Sequence, residues 1–71
     1  MSRMKHYIEG QALLIADKAG LDYNDVYDAL MSYGVSVNDL PVILDMIKPG
    51  NDLSYLKGIL WVFEYKNAMD N

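Results

Sequence analysis

Apolar residues recur every three or four positions along most of this chain, and the interruptions fall at glycine, proline and short polar runs. From about Tyr7 to Ala19, the residues Ile8, Ala12, Ile15 and Ala19 take helical spacing. Gly20 ends that run, because glycine adopts the left-handed conformation that closes many helices. Asp22 suits the N-cap of a second helix, its carboxylate accepting from free backbone N–H groups. Asp25 follows in the first turn, where negative charge complements the helix dipole. Val26, Ala29, Leu30 and Tyr33 then form one apolar face, and Gly34 stops it. Residues 36–39 are polar apart from Val37, and Asn38 is the predicted cap of a third helix. Pro41 falls in its first turn, where it costs no intrahelical hydrogen bond. Leu40, Ile43, Leu44 and Ile47 form the third face, Lys48 closes the helix, and Pro49-Gly50 is a turn. In residues 52–67, Leu53, Leu56, Leu60 and Phe63 fit a helix, although the continuous apolar run 59–63 also suits a buried strand. No partner strand is evident elsewhere, so this segment is predicted to be a helix.

The predicted fold is all-α: one compact domain over residues 1–71, built from about four short helices, with residues 1–5 and 68–71 loose. At 71 residues, a chain buries only about 60% of the surface it exposes when unfolded, and oligomerisation is one remedy for so small a core. The apolar fraction of 52%, with six Tyr, one Trp and five Met, is large for that interior. Several apolar side chains fall off the predicted core stripes. Leu13 points opposite Ile15, Val42 and Met46 sit one turn apart on the third helix, and Trp61 and Tyr65 do so on the fourth. Exposed apolar patches mark contacts with partners, so Leu13, Met46, Trp61 and Tyr65 are the candidate interface of a homo-oligomer or with an obligate partner.

Residues 12–31, ALLIADKAGLDYNDVYDALM, place small Ala16 in the first helix, Gly20 at the turn and Val26 as an apolar anchor in the second. That arrangement resembles the helix-turn-helix of the phage repressor and Cro type, and it implies a helix-turn-helix-like core. The resemblance also implies that the second helix enters the major groove, with Tyr23, Asn24, Tyr27 and Asp28 in the base-reading positions. The charges point the other way. The second helix carries Asp22, Asp25 and Asp28 and neither Lys nor Arg, and Lys18 is the one cation within the motif. Arg3, Lys5 and His6 make a thin basic arm. Affinity for duplex DNA comes mainly from cations that neutralise phosphates, so specific DNA binding is not expected of a chain with net charge −4.

The same acidic helix suggests a different use. Tyr23 and Tyr27 lie one turn apart, Tyr27 and Asp28 project away from the Val26–Leu30 stripe, and spaced carboxylates can imitate a run of phosphates. Tyr23, Asp25, Tyr27 and Asp28 are therefore the candidate partner-binding residues of a non-enzymatic protein-binding module. Its expected target is a basic groove on a nucleic-acid-handling protein. In size, acidity and tyrosine content the chain is similar in style to small phage-encoded inhibitors, anti-CRISPR proteins among them. One alternative is a dimeric helix-turn-helix regulator using a basic cluster drawn from Arg3, Lys5, Lys18, Lys57 or Lys66. Another is a structural or assembly subunit.

Enzymatic chemistry has little to build on. There is no cysteine, and the single histidine, His6, has no partners at ligand spacing, so no metal and no cofactor are expected. Ser2, Ser32, Ser36 and Ser54 lie in no nucleophile motif, and Glu9 and Asp17 pair only if folding happens to bring them together. No signal-peptide pattern and no bilayer-spanning run is evident, which makes a cytoplasmic protein the expectation.

Overall fold

The computed structural model describes residues 3–69, with side chains from His6 onward. It contains helices α1 (Arg3–Ala19), α2 (Tyr23–Tyr33), α3 (Leu40–Met46) and α4 (Leu53–Met69), with a 3-10 turn (Val37–Asp39) leading into α3. The described residues include no strand. Residues 59–63 are helical, and Ile59 and Leu60 are both buried there.

The turns follow from residue chemistry. Gly20 takes φ +80° after α1, and the N–H groups of Gly20 and Leu21 both donate to the Ala16 carbonyl, each at 2.8 Å. Asp22 caps α2, its Oδ1 accepting from the Asn24 N–H at 2.9 Å. Gly34 closes α2 at φ +60°. Asp52 caps α4 by accepting from the Tyr55 N–H at 2.9 Å.

Some predicted boundaries move. α1 begins at Arg3 rather than near Tyr7, because Arg3, Met4 and Lys5 are good helix formers and nothing before the packed core breaks the helix. Residues 3–5, part of the segment expected to be loose, form the first turn of α1, and residues 1–2 lie outside the described residues. α4 runs through Ala68 and Met69, with residues 70–71 outside the described residues. Ser36, not Asn38, does the capping before α3: its Oγ accepts from the Asn38 N–H at 3.3 Å. α3 ends at Met46, with Ile47 already extended, so Lys48 lies beyond it. The Lys48 N–H instead donates to Asn51 Oδ1 at 2.8 Å, shaping the turn into α4.

The helices share one core. Ala12, Ile15, Val26, Leu30, Leu40, Ile43, Ile47, Leu56 and Leu60 are buried in a single cluster. Small residues make the closest layers: Ala12, Ala16 and Ala19 on α1, and Ala29 on α2. α1 packs on α2 and α3, and α4 packs against α2. Three longer ties hold the frame: the Gly50 N–H donates to the Ala19 carbonyl at 3.3 Å, Asn67 Nδ2 donates to Asp39 Oδ2 at 3.1 Å, and Lys18 Nζ donates to the Leu44 carbonyl at 2.8 Å. The domain measures 34 × 30 × 18 Å. With helices about 10–12 Å across, its short dimension has room for few layers, and every helix keeps an outward face.

Gly20 gives a direct test of the turn. A Cβ there would meet nothing within 4 Å, so only the left-handed backbone resists substitution. Gly20→Ala should therefore cost about 1 kcal/mol. It should appear as a lower urea midpoint at unchanged slope.

Candidate functional site

The candidate residues on α2 divide between two flanks. At about 100° per residue, Tyr23 and Tyr27 fall to one side of the Val26–Leu30 stripe, and Asp25 and Asp28 to the other. Tyr23 and Tyr27 stack with ring centroids 5.9 Å apart and planes 23° from parallel. Both rings are half-buried and pack against the core. The Tyr23 hydroxyl titrates above the ordinary phenol range, chiefly through partial desolvation, then through the charges of Glu9 and Tyr27. This flank therefore faces α1, where Glu9 sits half-buried. Tyr27 does not project free of the fold as the periodicity suggested.

Asp25 and Asp28 are exposed and line an open groove of about 290 Å³ with Ala29, Ser32 and Tyr33 of α2 and Leu53 and Lys57 of α4. The solvent face of α2 between the two flanks holds Asn24 and Met31, both exposed. The accessible surface of α2 thus runs from Tyr27 across Met31 and Asn24 to Asp28, Ser32 and Asp25. It is a carboxylate surface with an apolar edge, and Lys57 forms one rim. Met31 and Lys57 were missed as site residues. Helical spacing alone carried a signal for Met31, which falls on the far side of the stripe, but none for Lys57, which arrives from another helix.

The cation of the α1–α2 pair is already engaged. Lys18 Nζ donates to the Leu44 carbonyl at 2.8 Å, in the last turn of α3. A positive charge there offsets the negative end of the helix dipole. Lys18 also borders a second open groove, of about 510 Å³, between α1 and α3, lined by Leu14, Asp17, Pro41, Leu44 and Asp45. Glu9 and Asp17 are not brought together as a pair: Glu9 lies by Tyr23, and Asp17 lies in this groove. The side chains of Arg3 and Lys5, the expected basic arm, lie outside the described residues, as does Ser2. Lys57 and Lys66 are exposed on α4.

The candidate interface residues also separate. Leu13 is exposed on α1, and α4 does not cover it. Met46 is exposed on α3 beside Val42. Trp61 and Tyr65 stack on α4 with centroids 5.7 Å apart and planes 15° from parallel. These residues belong to three outward helix faces rather than to one patch. Among the described residues, no group of three or more His, Asp or Glu is placed to hold a metal ion, and no helix is long and apolar enough to cross a membrane. No protein family matches the chain, and no curated protein or solved structure resembles it significantly.

Proposed function

We propose that this chain is a non-enzymatic protein-binding module whose acidic α2 surface docks on a basic groove of a nucleic-acid-handling protein and sterically excludes DNA or RNA. The observation that carries this reading is the exposed acidic flank of α2. Asp25 and Asp28 stand exposed on it, Asp22 extends the negative charge to the helix start, and the motif's one cation, Lys18, donates to the Leu44 carbonyl of α3. Such a surface attracts cationic grooves and repels phosphates. The half-buried Tyr23–Tyr27 stack stiffens one edge, and Met31 offers an adaptable apolar contact.

The test has two stages. Tagged protein captures its partner from the natural host, and nucleic acid is then titrated against the purified complex. Mutual displacement is the expected result. A ternary complex, or a partner with no affinity for nucleic acid, removes this reading. A parallel titration against duplex DNA at physiological salt should show no sequence-specific binding below micromolar concentration. Specific binding there would restore the helix-turn-helix regulator.

A further inference from the structure

We propose that the outer face of α4 is a dimer interface, pairing antiparallel with the same face of a second copy of this chain. The proposal stands on α4 and is independent of the acidic α2 surface. α4 buries Leu56, Ile59 and Leu60 on one side, yet its other side is also apolar. Tyr55, Gly58, Val62, Tyr65 and Met69 recur at alternating three- and four-residue steps, with Trp61 alongside, and none of these positions is charged. This is the seam spacing of paired helices. The charged residues of α4, Lys57, Glu64 and Lys66, fall on the flanks between its two apolar faces, so the outer face is an apolar stripe with a charged border.

The area is sufficient for a second copy. Tyr55 is 50% exposed, Trp61 58%, Val62 54%, Tyr65 57% and Met69 67%. With large side chains presenting about 150–250 Å² each, the stripe amounts to roughly 500 Å² per copy. Two copies would then bury at most roughly 1,000 Å², at the small end of specific interfaces.

Gly58 is a second, separate observation. Glycine inside a helix is destabilising relative to alanine, and nothing within the domain requires it here. Its φ is not positive, and a Cβ would meet nothing within 4 Å. Gly10 on α1 stands equally open, but Gly58 lies in the middle of an apolar stripe, where a missing side chain leaves room for another backbone or side chain. An antiparallel pairing supplies one: Gly58 faces the partner's Val62 twice about the dyad, and Tyr55 faces the partner's Tyr65 at each end. Trp61 then lies beside the dyad, next to the partner's Trp61. From Tyr55 to Tyr65 the stripe complements itself, small in the centre and aromatic at both ends, as an isologous two-fold contact requires, and Met69 lies beyond the paired segment. It is also free of carboxylates, so copies with net charge −4 meet there without direct like-charge contact.

Sedimentation of the full chain over a concentration series tests this. The expected species at high concentration has twice the 8.1 kDa chain mass. Trp61→Glu and Gly58→Leu should each raise the dissociation constant at least tenfold. Helicity is kept in both variants, because both sites are open to solvent in the single chain. Leu13→Glu should leave it unchanged. Because the chain has no cysteine, an oxidised mixture of Tyr55→Cys and Tyr65→Cys should cross-link faster than either variant alone. A wild-type monomer at several hundred micromolar overturns the proposal. So does a Gly58→Leu dimer as tight as wild type, dissociation by Leu13→Glu instead of Trp61→Glu, or faster cross-linking of a single variant.

Discussion

Leu60→Ala should leave most of the chain unfolded at 25 °C. Leu60 is fully buried where α4 meets the common core, beside Leu56 and Ile59. Removing a buried leucine costs about 2–5 kcal/mol, the larger values where the surroundings cannot collapse into the cavity. A core this small supplies only about 3–5 kcal/mol of net stability. The loss is therefore comparable with the whole, and far-UV circular dichroism at micromolar concentration should show the helical signal mostly gone. Leu13→Ala is the matched control. Leu13 is exposed, and surface substitutions usually stay within about 0.5 kcal/mol, so its melting curve should overlay the wild type. If Leu60→Ala melts within a few degrees of wild type, α4 does not close this core. Both proteins should be compared at one concentration, since self-association raises apparent stability by mass action.

The four helices were legible because their signals are local. Gly20, Gly34, Asp22 and Pro41 act within a few residues of themselves, and each plays its predicted part in the structure. The apolar periodicity of α2 and α3 identified Val26, Ala29, Leu30, Leu40, Ile43 and Ile47 as core. The errors fall where no local punctuation exists. Nothing in residues 3–6 stops a helix, so α1 extends backward. Ser36 and Asn38 are both good caps, and the 3-10 turn between α2 and α3 decides in favour of Ser36.

The candidate site was legible only one helix at a time. Periodicity placed Tyr23 beside Tyr27 and Trp61 beside Tyr65, and both pairs stack. It could not say what stands across from them. Glu9 beside Tyr23, Lys57 at the rim of the Asp25–Asp28 groove and the Leu44 carbonyl on Lys18 all come from distant parts of the chain. The extent of the outer α4 face was also missed. A search for one apolar stripe per helix finds Leu53, Leu56, Leu60 and Phe63 and leaves Tyr55, Gly58, Val62 and Met69 unread.

Asp25→Lys combined with Asp28→Lys should slow association with the captured partner by at least tenfold and reverse the effect of salt on the rate. Both carboxylates are exposed on α2, and the double change brings the formal net charge from −4 to zero. Steering by complementary fields raises association rates by about 10–10³, and salt weakens it. Wild-type association should therefore slow as salt is added. The variant, now repelled by the basic groove, should gain from added salt. Folding needs its own control, because Asp25 sits in the first turn of α2 and a cation there costs about 0.3–1 kcal/mol against the helix dipole. Asp25→Asn with Asp28→Asn removes the charge without reversing it and should give intermediate rates with near-wild-type melting. Tyr27 calls for a gentler change than removal: its ring stacks on Tyr23 and packs against the core, so Tyr27→Ala would alter stability and binding together. Tyr27→Phe keeps the packing and should change dissociation only if the hydroxyl bonds the partner. If both charge variants keep the wild-type rate and salt response, the aspartates serve α2 alone, as caps and solvated surface. A partner captured by such a protein would then have to be held by a surface other than this flank of α2.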